Sequence, residues 1–334
     1  MIERLLDIYS EEIPAFLYEI ADSPQMQRLK GIGMNCGCEY TSFPLFSALE
    51  PYSRFMHSVG VGAIVWNFTR DPKQAIAGLL HDVASPAFAH VIDFMKGDYL
   101  VQESTEERTA SIIASSVSIC EVLAMLGISI GQVSDYHLYP IADNDSPRLS
   151  ADRLEYTMGN ILNYKYGTLD DVSRYYGNLT VAENEEGKQE LCFRNGDIAE
   201  EFALKALECG KVYVCDADRY SMQYLAQIVK SAIGRGTVTE DMLYETEKKV
   251  IEALTSDDAG RKDWESFRSL SKTERCEDGK GYPVYRIDAK KRFINPYVAG
   301  RGRVSALSAE FKEAVTAFRK YSFDYPVAGC SDCV

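Results

Sequence analysis

The chain has 334 residues, 46% hydrophobic and 26% charged, the proportions of an ordinary globular protein long enough for a sizeable core. Its formal net charge of −14 argues against long nucleic acid as a partner, because polymer binding rests on neutralising phosphates with a basic surface. No apolar run reaches the roughly 18 residues that span a bilayer, Met1-Ile2-Glu3-Arg4 is unlike a secretory signal, and nine scattered cysteines read as reduced thiols, so the expectation is a cytoplasmic protein with no membrane partner.

Residues 5–21 carry apolar positions at helical spacing. His57 opens a second helical stretch, in which His57, Val61, Ile64, Val65 and Phe68 share one face. Asp71-Pro72 ends it and starts the next helix, with proline in its first turn. Ala75, Ile76, Leu79 and Leu80 form the buried stripe of that helix, and His81-Asp82 follow directly, with Pro86 limiting any continuation. Ser104, Thr105, Glu106 and Glu107 have the S-x-x-E capping pattern and predict a helix running toward Leu126, stopped by Gly127. Residues 149–163 read as a helix that puts Asp152 and Tyr156 one turn apart on the same face.

Further on, Leu179-Thr180-Val181 and Leu191-Cys192-Phe193 flank Glu185-Glu186-Gly187 and predict a β-hairpin over 178–196. Helices return over 198–254. Residues 255–280 are charged and less periodic, 283–298 read as one or two short strands, and a last helix covers 308–321. The expected fold is mainly α, with a hairpin near 178–196 and short strands near 283–298. It divides into a core over 1–175, a hairpin and helical extension packed on it over 176–270, and a small α+β extension over 271–334.

Only four histidines occur: His57, His81, His90 and His137. His57 and His81 with Asp82 and Asp152 make a mixed nitrogen and oxygen set that suits a divalent metal, whether Mn, Mg, Fe, Ni or Zn. Such an ion polarises a phosphoryl oxygen and acidifies water near neutral pH, so the set points to hydrolysis. Each residue also has a plainer reading. His57 fits a core face, His81-Asp82 a helix end, and Asp152 a helix cap. Arg54, one turn before His57, offers a planar fork suited to phosphate. His137 lies in a polar stretch and reads as solvated. The basic run Lys290-Lys291-Arg292, followed by Arg301 and Arg303, reads as a phosphate or regulatory nucleotide site or as a solvated turn. Cys36 with Cys38, and Cys330 with Cys333, suggest a metal or redox site. A second CxxC at zinc spacing is missing, and the latter pair lies at a chain end, where disorder is common.

Four ordered blocks carry a resemblance. They are Ser23-Pro24-Gln25-Met26-Gln27-Arg28-Leu29, then Ser53-Arg54-Phe55-Met56-His57, then Ala77-Gly78-Leu79-Leu80-His81-Asp82, and finally Ala151-Asp152-Arg153-Leu154-Glu155-Tyr156. In order and spacing the chain resembles the HD-domain phosphohydrolases, and within them the deoxynucleoside triphosphate triphosphohydrolase branch. The resemblance implies a helical HD-domain core with one metal held by His57, His81, Asp82 and Asp152, and attack of water on phosphorus. In the triphosphohydrolases the target is the α-phosphorus, and a deoxynucleoside and tripolyphosphate leave. His90 matches a histidine that assists proton transfer to the leaving oxygen, Arg54 an arginine on substrate phosphate, and Tyr156 a tyrosine lining the sugar pocket.

The departures concern the shell that reads the nucleotide. Ser85 and Thr105 stand where that branch carries auxiliary histidines, and they read as space-filling and capping residues. Met34 replaces a glutamine that reads the sugar, and Asn160 replaces an aspartate. The expectation is a metal-dependent phosphohydrolase for a small phosphorylated substrate, by resemblance a nucleotide. A phosphatase or phosphodiesterase on a non-triphosphate substrate stays open, as does a nucleotide-sensing module with a structural metal. The helical extension could pair with a second copy in a homo-oligomer.

Overall fold

The computed structural model describes residues 2–97, 108–279 and 281–331. The chain is mainly helical with short strands, and the Arg54–Thr69 helix forms the middle of its first core. Ser53 caps that helix by accepting the Met56 amide, so it starts one turn before His57 and carries Arg54 in its first turn. From His57 to Val65 every residue is buried, as expected of a helix covered on all sides. The Pro72–Leu80 helix, capped by Asp71, packs along it and delivers His81 and Asp82 at its end. The Ala151–Asn163 helix packs on Arg54–Thr69 as well, and its Ser150 cap places Asp152 in the first turn.

Three stretches differ from the sequence expectation. Residues 5–21 form two helices, Leu5–Tyr9 and Ala15–Ala21, because Pro14 breaks the run and becomes the cap of the second. The capping pattern Ser104, Thr105, Glu106 and Glu107 lies outside the described residues. Beyond it the expected single helix is two, Thr109–Ser115 and Val117–Leu126, bent by 91° where Ser116 caps the second. Gly127 ends that helix as expected. No single helix among the described residues is long and apolar enough to cross a bilayer, and this bent pair passes by length and composition only when its halves are taken together. Within 255–280 lies a helix, Asp258–Arg268; only Gly260, Trp264 and Phe267 are buried, a face too narrow to give a clear period.

The strands are β1 (Leu179–Glu183), β2 (Gln189–Phe193), β3 (Lys272–Glu274), β4 (Val284–Tyr285), β5 (Tyr297–Val298), β6 (Gly302–Arg303) and β7 (Val327–Cys330). The expected hairpin is β1–β2, with Leu179 opposite Phe193. It does not stand alone: β5 pairs in parallel with β2, Cys192 beside Tyr297, and β6 completes the order β1-β2-β5-β6. Arg303 locks this sheet with ion pairs to Glu185 at 2.8 Å and Glu190 at 2.5 Å. The second sheet has the order β3-β7-β4, so the tail carrying Cys330 is a central strand; Cys333 lies outside the described residues.

A second core surrounds the Asp216–Arg235 helix and draws Phe88, Val91, Trp264, Phe267 and Val327 together. Tyr164 and Tyr213 pack against both cores. Residues 289–293 run back over the Gly196–Val212 helix as a strap. Lys291 ties it to the end of the Ala309–Lys320 helix, its Nζ donating to Arg319 O at 2.7 Å and to Tyr321 O. On the other side a Cβ at Gly210 would stand 2.3 Å from the Arg292 carbonyl oxygen. Gly210→Ala is therefore expected to push the strap away and destabilise the protein by about 1–3 kcal/mol, read as a lower unfolding midpoint in urea. An unchanged midpoint would mean that the strap yields without resistance.

Candidate metal centre and its cavity

Three helices converge on one group of side chains. His57 Nε2 lies 3.1 Å from His81 Nε2 and 3.1 Å from Asp152 Oδ1, and His81 Nε2 lies 3.8 Å from Asp152 Oδ1. Donor atoms of His57, His81 and Asp152 all fall within 4.8 Å of one another, the one such group among the described residues. Asp82 Oδ2 borders them, 3.6 Å from His81 Nε2 and 3.9 Å from His57 Nε2. The structure thus brings three of the four expected ligands into one donor group and sets Asp82 at its edge.

The outer nitrogens of the two imidazoles decide what faces inward. His81 Nδ1 is 2.8 Å from Gly78 O, an atom that only accepts, so Nδ1 carries the proton and the Nε2 lone pair points to the centre. His57 Nδ1 is 2.5 Å from Glu155 Oε2, which also accepts from Tyr52 OH. Ligating histidines are held by such outer carboxylate and carbonyl partners. Two inward nitrogens 3.1 Å apart have the spacing of donors about 2.1 Å from a shared cation, so the residues fit a divalent ion. Burial lowers the basicity of His57, but Asp152 and Glu155 outweigh it and take its pKa up to about 10. The centre favours positive charge, and a divalent ion held there would take the place of that proton.

Glu155 was not singled out in the sequence. It is buried, three residues after Asp152 and on the same helix, where a glutamate ordinarily faces solvent. Gly60 makes its place: a Cβ there would come within 2.7 Å of Glu155 Cγ.

Asp82 is held at both oxygens, by Arg54 Nη1 at 2.8 Å and Ser85 Oγ at 2.7 Å. Burial alone would raise its pKa; Arg54, His81 and His57 overcome this and keep it well below the usual carboxylate range. Ser85, expected to fill space, instead donates to Asp82. Arg28 braces the same turn, donating to Val83 O at 2.9 Å and Ser85 O at 2.8 Å.

These groups line a cavity of about 320 Å³. His90 lines it too, with Nδ1 3.0 Å from Asp93 Oδ2. The turn before it is strained: Phe88 and Ala89 have φ of 61° and 45°, a region that side chains other than glycine rarely adopt. Ala87 N–H bonded to Leu243 O at 2.6 Å and Phe88 N–H to Glu247 Oε1 at 3.3 Å hold that conformation. Burial lowers the His90 pKa; Asp93 raises it, and the charges of Arg54 and Arg292 lower it further. His90 thus favours its neutral form, in a cavity that Arg54 and Arg292 also line.

The strap supplies what the sequence left undecided. Lys290, Lys291 and Arg292 line the cavity, while Arg303 belongs to the sheet. His137, expected to be solvated, also lines the cavity, with Nε2 3.3 Å from Asp143 Oδ2, though its side chain stays 48% exposed. Tyr156 stands beside the centre, its ring 6.4 Å from that of His57. Cys36 lines the cavity, and neither it nor Cys38 joins a metal-binding group among the described residues.

Fold and site define a mainly helical protein with a buried nitrogen–oxygen metal-ligand group beside a cationic cavity. The chain is similar to uncharacterized protein YdhJ of Bacillus subtilis, 26% identical over 74% of this chain and 73% of the relative. It is similar to metal-dependent phosphohydrolase cns2 of Cordyceps militaris, 27% identical over 52% of this chain and 49% of the relative. A shorter match reaches deoxynucleoside triphosphate triphosphohydrolase SAMHD1 of Gallus gallus, 35% identical over 25% of this chain and 15% of that protein. No family model matches.

Proposed function

We propose that the protein is an HD-type metal-dependent phosphohydrolase, cleaving a phosphate ester in a small substrate of the nucleotide class. The observation that carries this reading is one cavity holding the His57, His81 and Asp152 donors, the Arg54–Asp82 pair, His90 and Arg292. Similarity to a metal-dependent phosphohydrolase and, over a shorter stretch, to a deoxynucleoside triphosphate triphosphohydrolase supports it. A divalent ion held by His57, His81, Asp82 and Asp152 supplies Lewis acidity toward a phosphoryl oxygen and acidifies water near neutral pH. Arg54 and Arg292 stabilise the charge that grows on the phosphoryl oxygens. Burial first, then the charges of Arg54 and Arg292, lower the His90 pKa; a phosphate dianion in the cavity offsets those charges, so that His90 takes up a proton from water. His90, oriented by Asp93, then gives its proton to the leaving oxygen.

A second reading is a phosphatase on a non-triphosphate substrate. Two observations favour it. A cavity of about 320 Å³ is at the small end for ligand sites. In addition, the hydroxyl of Ser85, in place of an auxiliary histidine, is engaged by Asp82.

The test is a phosphate-release screen with Mn, Mg, Ni or Fe, on nucleoside mono- and triphosphates and an aryl phosphate. Tripolyphosphate from a nucleoside triphosphate, or orthophosphate from a nucleoside monophosphate in preference to the aryl ester, supports the nucleotide class, and orthophosphate from the aryl ester without that preference selects the second reading. Silence across the panel with metal bound refutes both and leaves a sensing module. His90→Gln is expected to lose about 10²- to 10⁴-fold in turnover while keeping its metal content by elemental analysis. Loss of metal along with turnover would remove His90 from the proton-donor role.

A further inference from the structure

Aromatic rings lead away from the metal centre. The ring of Tyr156, 6.4 Å from His57, is followed by Tyr213 at 6.3 Å and Tyr164 at a further 6.5 Å. All three line the cavity. Asn160 is bonded to Tyr213 OH at 2.7 Å and Tyr164 OH donates to Asn35 Oδ1 at 3.3 Å, which fixes the last two rings. The Asp218 carboxyl, whose charge acts on Tyr164, lines the same cavity.

Asp218 is in the first turn of the Asp216–Arg235 helix, where an exposed aspartate needs no explanation. Here the carboxyl does not cap that helix; the cap is Cys215, whose Sγ accepts the Asp218 amide at 3.4 Å. The one side-chain partner recorded for the Asp218 carboxyl among the described residues is the thiol of Cys38, 3.9 Å away. The adjacent guanidinium of Arg219 is engaged elsewhere, with Val214 O, Ile287 O and Asp216. The carboxyl is half-buried at the cavity wall, and with a single weak donor it has acceptor capacity to offer a ligand. Burial pushes its pKa up to about 8, against the partial relief given by Arg219 and Cys38.

We propose that Asp218 recognises the organic end of the substrate, accepting a hydrogen bond from an amino group on a planar ring packed among Tyr156, Tyr213 and Tyr164. The proposal rests on the reading of this cavity as a phosphohydrolase site and extends it to substrate selection. The cavity is then polar at both ends, gripping phosphate beside the metal centre and an N–H donor beside Asp218.

The experiment compares a 6-aminopurine nucleoside monophosphate with its analogue lacking the amino group. It reads kcat/KM with metal and, separately, Kd by calorimetry, for the unaltered protein, Asp218→Ala and Asp218→Asn. The unaltered protein is expected to favour the amino compound by about 2- to 10-fold at neutral pH, the range of one hydrogen bond to an uncharged group. In Asp218→Ala the ratio falls to near one, and in Asp218→Asn, whose amide oxygen still accepts, part of it returns. A ratio near one in the unaltered protein, or one that survives in Asp218→Ala, overturns the proposal. An aryl phosphate run alongside keeps the two readings apart. If it and the nucleotides are not hydrolysed with any metal, the phosphohydrolase reading fails, and the Kd ratios alone decide the role of Asp218.

Discussion

Asp82→Ala is expected to abolish phosphate-ester hydrolysis, to lower the metal content, and to reduce stability by about 3–5 kcal/mol. The stability loss follows from what the carboxylate leaves behind. Arg54 is buried, with Nη1 2.8 Å from Asp82 Oδ2, and its Nε already has no partner. Removing Asp82 strands a guanidinium in the core, and removing Arg54 strands a carboxylate. The pair should therefore be strongly coupled, the double variant costing much less than the two single losses added together. Urea melts of the four proteins measure this, and turnover with metal is read on the same samples. Additive losses would show that Arg54 and Asp82 are not a coupled pair, and an Asp82→Ala protein that still hydrolyses substrate and binds metal would show that Asp82 is not part of the centre.

Glu39→Gln is expected to have the opposite sign, stabilising the protein at alkaline pH by about 1–3 kcal/mol. Glu39 Oε2 is buried without a partner. Burial first and the charge of Glu247 second raise its pKa well above the ordinary carboxylate range. The folded state thus keeps a proton that the unfolded chain gives up once pH passes that range. Stability is full at low pH and falls as pH rises toward the raised pKa, because there the folded state binds more protons than the unfolded one. Glutamine removes the titration and keeps an acceptor for the neighbouring amides. Urea midpoints across roughly pH 5 to 9 should slope downward in the unaltered protein and less so in Glu39→Gln. Parallel slopes would place the pH dependence elsewhere. Glu247 is the wrong choice for this experiment, because it accepts from Gly33 N–H, Tyr40 OH and Phe88 N–H and so holds the strained turn before His90.

The parts of the site readable in the sequence are those set by the register of single helices. His57 falls one turn into a helix capped at Ser53, His81-Asp82 end a helix capped at Asp71, and Asp152 begins one capped at Ser150. Periodicity and caps are local, so these positions follow from short stretches of sequence. Glu155 was missed because a helical glutamate carries no sign of burial; its spacing of three from Asp152 and the small Gly60 on the facing helix were the available signals. The run Lys290-Lys291-Arg292 was legible as a candidate phosphate site, but its place at this cavity was not, and Asp218 gave no signal at all. Asp218 looks like a first-turn carboxylate, and the return of residues 289–293 depends on packing between distant parts of the chain, including the parallel pairing of β2 with β5. The helix Asp258–Arg268 escaped notice for a simpler reason, since it shows the core only Gly260, Trp264 and Phe267.

The place of β7 between β3 and β4 bears on how the protein comes into being. On the ribosome, chains fold from the N-terminal side as they emerge. The residues of the metal centre, from His57 to Asp152, are exposed to the cell well before Lys290 and Arg292, and the sheet that includes Val327–Cys330 forms later still. If the proposed function holds, a growing chain would present its metal ligands before the strap that completes the cavity, so metal binding would precede phosphate binding in the life of each molecule.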